Sequence, residues 1–72
     1  MFQESASACE LRAQRALDSS PIYDLHGLHV QRSGKILLIS GSVSSYYHKQ
    51  LVQEIVRAVV DGLEVVNSVD VR

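Results

Sequence analysis

The stretch from Leu28 to Val43, LHVQRSGKILLISGSV, constrains this chain more than any other, because it reads as a β-hairpin with a definite register. Gly34-Lys35 is the turn: a two-residue loop with glycine first suits type II′ geometry, in which the first central residue takes positive φ. Counting outward pairs Ser33 with Ile36, Val30 with Ile39 and Leu28 with Gly41. Alternation then puts Leu28, Val30, Leu37 and Ile39 on one face, and His29, Gln31, Ile36 and Leu38 on the other. The second strand ends at Gly41-Ser42, and Ser44 or Ser45 caps a helix that begins at the tyrosines.

The flanking segments complete a small α+β domain. Residues 5–18 read as a helix: Ser7 followed three residues later by Glu10 is a capping-box pattern, and Ser19-Ser20-Pro21 is a stop. Phe2, Ala6, Cys9, Ala13, Ala16 and Leu17 fall on one side of it, a stripe of mostly small residues suited to close packing on a sheet. Pro21 to Gly27 is a connector with Ile22, Tyr23 and Leu25 tucked beneath it. A second helix spans about 45–60, with Leu51, Val52, Ile55, Val56, Val59 and Val60 as its apolar face, and Asp61-Gly62 ends it. The tail EVVNSVDV alternates, placing Val65, Asn67, Val69 and Val71 on one face and Val66, Ser68 and Asp70 on the other. The expected fold is αββαβ, two helices packed on one face of a three-stranded mixed β-sheet. The division is an N-terminal extension, 1–7, and a single domain, 8–72.

A chain of 72 residues buries only about 60% of the surface it exposes when unfolded. Small domains usually add disulfides, a metal or a partner subunit, and a single cysteine, Cys9, excludes an intrachain disulfide. A formal net charge of −1 supplies no field to concentrate a nucleic acid, so no nucleic-acid partner is expected. The amino terminus MFQESASA has no basic segment followed by an apolar run, and no stretch is long enough to span a membrane. As the chain stands this reads as cytoplasmic; for a domain excised from a longer protein, a periplasmic or envelope-associated setting is the expectation.

Two helical surfaces and one sheet face are candidate binding sites. On the second helix Tyr46, Lys49, Gln53 and Arg57 project within a narrow sector on the expected solvent side, where tyrosine suits a headgroup region and the cations suit lipid phosphates. Leu11, Arg12 and Arg15 form a smaller surface of the same type on the first helix. The plainer reading of each is an ordinary solvated helix face. The uncovered sheet face carries His29, Gln31, Ile36 and Leu38 beside Val66, an apolar patch able to take another protein or a second copy of the chain.

Nothing in the residues calls for catalysis or a cofactor. His26 and His29 stand at H-x₂-H spacing, but with no CxxC, Cys9 turned toward the core and His29 on the open face, a four-ligand zinc site is not expected. His48 falls at the first turn of the second helix, where local hydrogen bonding is its expected role. Gly41-Ser42 is neither a nucleophile elbow nor a phosphate loop. No carboxylate pair sits in an apolar context that would tune one of its members. Gly41, facing Leu28 on the core side, is read as structural, as is the inward Asn67.

Ala16-Leu17, Leu28-x-Val30, Leu37-x-Ile39-x-Gly41-Ser42-Val43, the Ser45-Tyr46-Tyr47-x-Lys49-Gln50 helix start and Val66-Asn67-Ser68-Val69-Asp70-Val71 together resemble the BON domain, a bacterial family named from osmotically inducible and nodulation proteins. The resemblance covers about residues 8 to 72. Two departures stand out. Gly34-Lys35 occupies the places of the family's usual Asp-Gly turn, and the loop after Gly62 is one residue shorter. The resemblance implies a non-catalytic module that binds phospholipid or other cell-envelope surfaces, with links to osmotic stress. Potassium sensing, known where this domain is joined to a peptidoglycan-binding type module, is a further implication. No residue-level ligand site is shared widely enough to transfer.

Overall fold

The computed structural model describes residues 6–72. Its elements are helix α1 (Ala6–Asp18), a short 3-10 turn (Tyr23–Leu25), strands β1 (His29–Ser33) and β2 (Ile36–Val43), helix α2 (Tyr46–Arg57) and strand β3 (Glu64–Val71). The strands lie in the order β1-β2-β3, antiparallel between β1 and β2 and parallel between β2 and β3. This is the expected α+β arrangement with a mixed sheet. A parallel pair cannot be closed by a tight turn, and α2 supplies the crossover that β2 and β3 require.

The hairpin has the register that its turn dictates: Ser33 opposes Ile36, Val30 opposes Ile39, and the ladder continues to His29 opposite Ser40. Gly34 has φ +60 and no non-glycine residue has positive φ among the described residues, the sign pattern of a type II′ turn. Leu28, Leu37 and Ile39 are buried, and Val30 packs half-buried against them. From the helices come Ala13 and Leu17 of α1 and the Val52-Val56 row of α2, followed by Val60. Val43 and Val69 close the far end of this layer, and Leu25 plugs it from the 3-10 turn.

Several expectations need correction. Tyr23 is 85% exposed instead of tucked under its connector, although Leu25 is fully buried and Ile22 packs against the core. Ser7 lies inside α1 and is not its cap, and the Glu10 side chain accepts the Arg32 N–H at 2.6 Å. Helix α2 stops at Arg57, ahead of Val60, its end tightened by a Val59 N–H to Val56 C=O bond. Ser45 is its N-cap, the hydroxyl accepting the His48 N–H. Of the expected N-terminal extension, 1–5 lies outside the described residues, as do Phe2 and the side chains of Ala6 and Ser7; Ala6 and Ser7 belong to α1.

The two outer strands are treated differently. Helix α1 runs beside β1, where Glu10 takes the Arg32 N–H and Gln14 donates to the Leu28 carbonyl at 2.9 Å, so side chains occupy backbone groups on that edge. On β3 the Asn67 amide donates to the Lys49 carbonyl at 2.8 Å and its oxygen accepts the Val69 N–H at 3.3 Å. Asn67 thereby satisfies the hydrogen-bonding demand that an inward polar residue carries.

Candidate interaction surfaces

With both helices on one side of the sheet, the opposite face is bare among the described residues. Ile36 and Leu38 lie two apart on β2, and Val66 is directly across from Leu38 on β3, so the three form one apolar cluster. Ile36 is 42% exposed and Leu38 and Val66 are half-buried. His29 and Gln31 are exposed on the neighbouring strand, Gln31 opposite Leu38. The four residues assigned to this face from alternation are thus together on it.

The helical surfaces are less uniform. Tyr46 and Arg57 are exposed, but Lys49 and Gln53 are half-buried, a correction to their expected place on the solvent side. The reason is the rotation of α2. Lys49 and Gln53 stand three residues before the buried Val52 and Val56 and so lie immediately beside that row. Arg12 Nε donates to the Val59 carbonyl at 3.1 Å, which turns the Ile55-Val59 flank toward α1. The Tyr46-Lys49-Gln53-Arg57 flank therefore lies on the side away from α1, above β3. On α1, Leu11 is 52% exposed and Arg15 is exposed, while Arg12 also reaches the Cys9 sulfur at 3.8 Å. Arg12 is tied to α2 and is not a freely extended cation.

Alternation and motif reading missed Asp24. This carboxylate in the 3-10 turn accepts the Ser44 N–H at 2.7 Å, the Ser44 hydroxyl at 2.9 Å and the His48 Nδ1–H at 2.8 Å, and its other oxygen receives an Arg72 N–H at 3.1 Å. One side chain thus joins the connector to the start of α2 and to the end of β3. Its pKa is pulled down to about 2, chiefly by the Ser44 N–H and then by His48. A serine, a histidine and an aspartate meet here, but Ser44 Oγ donates to the carboxylate and not to the imidazole, so the geometry is not that of an activated nucleophile.

Beside this cluster, between the 3-10 turn and the end of β2, lies a cleft of about 430 Å³ whose walls include Tyr23, His26, Ser42 and Arg72. His26 Nε2 is 2.7 Å from the Ser20 carbonyl and its ring meets Tyr23 edge-on at 5.3 Å. His29 stands apart on the open sheet face, so the H-x₂-H pair does not converge. No group of three or more His, Cys, Asp or Glu side chains able to hold a metal occurs among the described residues. No helix among them is long and apolar enough to cross a membrane. Compared with known proteins, the chain matches no family model and no curated protein.

Proposed function

We propose that the chain is a small non-catalytic binding module that docks on a protein surface through its uncovered sheet face. The observation that carries this is the Ile36-Leu38-Val66 cluster: adjacent aliphatic side chains on the one side of the sheet that no described element covers. Such a patch, rimmed by His29 and Gln31, has the apolar centre and polar margin of a docking surface. The sequence resemblance to BON domains, which implies binding and no catalysis, agrees with this.

The test is Ile36→Lys and Leu38→Glu, with association followed by light scattering across concentration and ionic strength. Association through this face is abolished by either change, while Ile36→Lys shifts stability by no more than about 0.5 kcal/mol because the residue is outside the core. A large loss of stability from Ile36→Lys, or association in both variants as strong as the parent's, overturns the assignment.

Binding to an anionic phospholipid surface is the second function supported by a specific observation. All three tyrosines are exposed: Tyr23 is bonded through its neighbour Asp24 to the first turn of α2, where Tyr46 and Tyr47 stand 65% and 66% exposed. Tyrosines grouped at one end suit a headgroup region. Co-sedimentation with phosphatidylglycerol vesicles at low salt, weakened by Tyr46→Ser and Tyr47→Ser, supports this reading; failure to co-sediment removes it. Ion sensing has no comparable support, and a potassium-specific change in melting temperature would be required to sustain it.

A further inference from the structure

The backbone of β3 points to a second copy of this chain as the partner of its outer edge. Glu64 N–H donates to the Lys35 carbonyl and Arg72 N–H donates to the Val43 carbonyl, both at 2.8 Å. Successive residues of a strand direct their backbone groups to opposite sides, so the even-numbered residues from Glu64 to Arg72 face β2. The odd-numbered ones, Val65, Asn67, Val69 and Val71, direct N–H and C=O outward. The Val69 N–H agrees with this, since its acceptor is the Asn67 side chain and not β2. Beyond that one long bond, nothing among the described residues occupies this edge, whereas Glu10 and Gln14 occupy groups on the β1 edge.

We propose that two copies pair β3 with β3 antiparallel about a two-fold axis at Ser68, making one continuous six-stranded sheet. Opposed residues must share a face, which restricts the registers, and charge selects among them. Centring on Asn67 sets Glu64 against the partner's Asp70, a repulsive pair. Centring on Ser68 sets Glu64 against the partner's Arg72, Val65 against the partner's Val71 and Asn67 against the partner's Val69. The last two pairs are of outward-facing residues, so each exchanges two N–H···O bonds. The Val69 N–H then passes from the Asn67 side chain to the partner's backbone. An eight-residue edge strand without proline or lysine is a template for such pairing. The axis is normal to the sheet, so both Ile36-Leu38-Val66 clusters emerge on the same side. The pairing stands on the backbone geometry and does not require that face to bind anything.

Two variants test it by independent readouts. Val71→Pro removes an outward N–H and places the ring where the partner strand lies, without breaking a bond to β2. It converts the dimer to monomer in analytical ultracentrifugation, with the circular dichroism spectrum retained. Ser68→Cys, in a Cys9→Ala background, puts two thiols opposite each other in a non-hydrogen-bonded pair, where the Cβ atoms are close enough for a disulfide. A thiol oxidant then yields covalent dimer from Ser68→Cys and far less from Asp70→Cys, and this readout stands even if the proline variant fails to fold. A parent chain that is monomeric with no Ser68 cross-link overturns the proposal. So does more cross-linking at position 70 than at 68, or a dimer that survives Val71→Pro and is lost in Ile36→Lys.

Discussion

Glu10 Oε2 accepts the Arg32 N–H at 2.6 Å, across 22 residues of sequence, and this bond separates the two edges of the sheet into a guarded one and an open one. Removing the carboxylate leaves a partly enclosed N–H without its acceptor. Glu10→Ala is expected to cost about 2 kcal/mol, the range for a hydrogen bond to a charged group, and to accelerate amide exchange at Arg32. Urea titration and hydrogen exchange measure the two effects, and an unchanged Arg32 exchange rate would contradict the contact.

Gly41 is held by two independent constraints. Its φ is +127, and a Cβ built there would stand 2.8 Å from Leu28 Cδ2. Gly41→Val is expected to destabilise the fold by about 3 kcal/mol, combining strain at an unfavourable φ with overpacking. In a double-mutant cycle of Gly41→Ala with Leu28→Ala, the steric part appears as favourable coupling because the clashing atom is gone, while the φ strain remains. Additive stability changes in that cycle would exclude the clash.

Asp24 makes the stability sensitive to acid. Its folded pKa, about 2, is below the usual 3.8, so the unfolded chain binds the proton more readily. The contribution is therefore fully present above about pH 4 and is lost as pH falls through about 2. Asp24→Asn should melt at a lower temperature than the parent at pH 6, with the gap closing in that acid window. A gap that stays constant down to pH 2 would show that the carboxylate's charge is immaterial.

Asn67 holds α2 to β3 through the Lys49 carbonyl. Asn67→Ala should cost about 1 kcal/mol, since the lost partners, the Lys49 carbonyl and the Val69 N–H, retain alternatives. Because the Val69 N–H is released on the open edge, the same variant should dimerise at least as well as the parent, which ultracentrifugation decides.

How much of this was legible in the residues depends on the range over which each feature is decided. Gly34-Lys35 and the alternation around it determined the hairpin register, because turn chemistry and strand pleat act within a few residues. The same local logic narrowed the α2 cap to Ser44 or Ser45, of which the fold uses Ser45, and put Ile36 and Leu38 on the uncovered face. Asp24 carries no such mark: its partners Ser44, His48 and Arg72 are 20, 24 and 48 residues away, and only the closed fold brings them to one carboxylate. For Lys49 and Gln53 helical periodicity gives the width of an apolar face but not its rotation, which Val52, Val56 and the Arg12 bond to Val59 settle.

By itself, then, the sequence determined the two helices, the three strands, the hairpin pairing and which side chains alternate inward, all consequences of periodicity and local turn geometry. The tertiary structure alone decided the strand order that leaves β3 at an edge, the guarding of β1 by Glu10 and the assembly of the Asp24 hub. Those depend on which elements become neighbours, and that is settled by packing of the whole core.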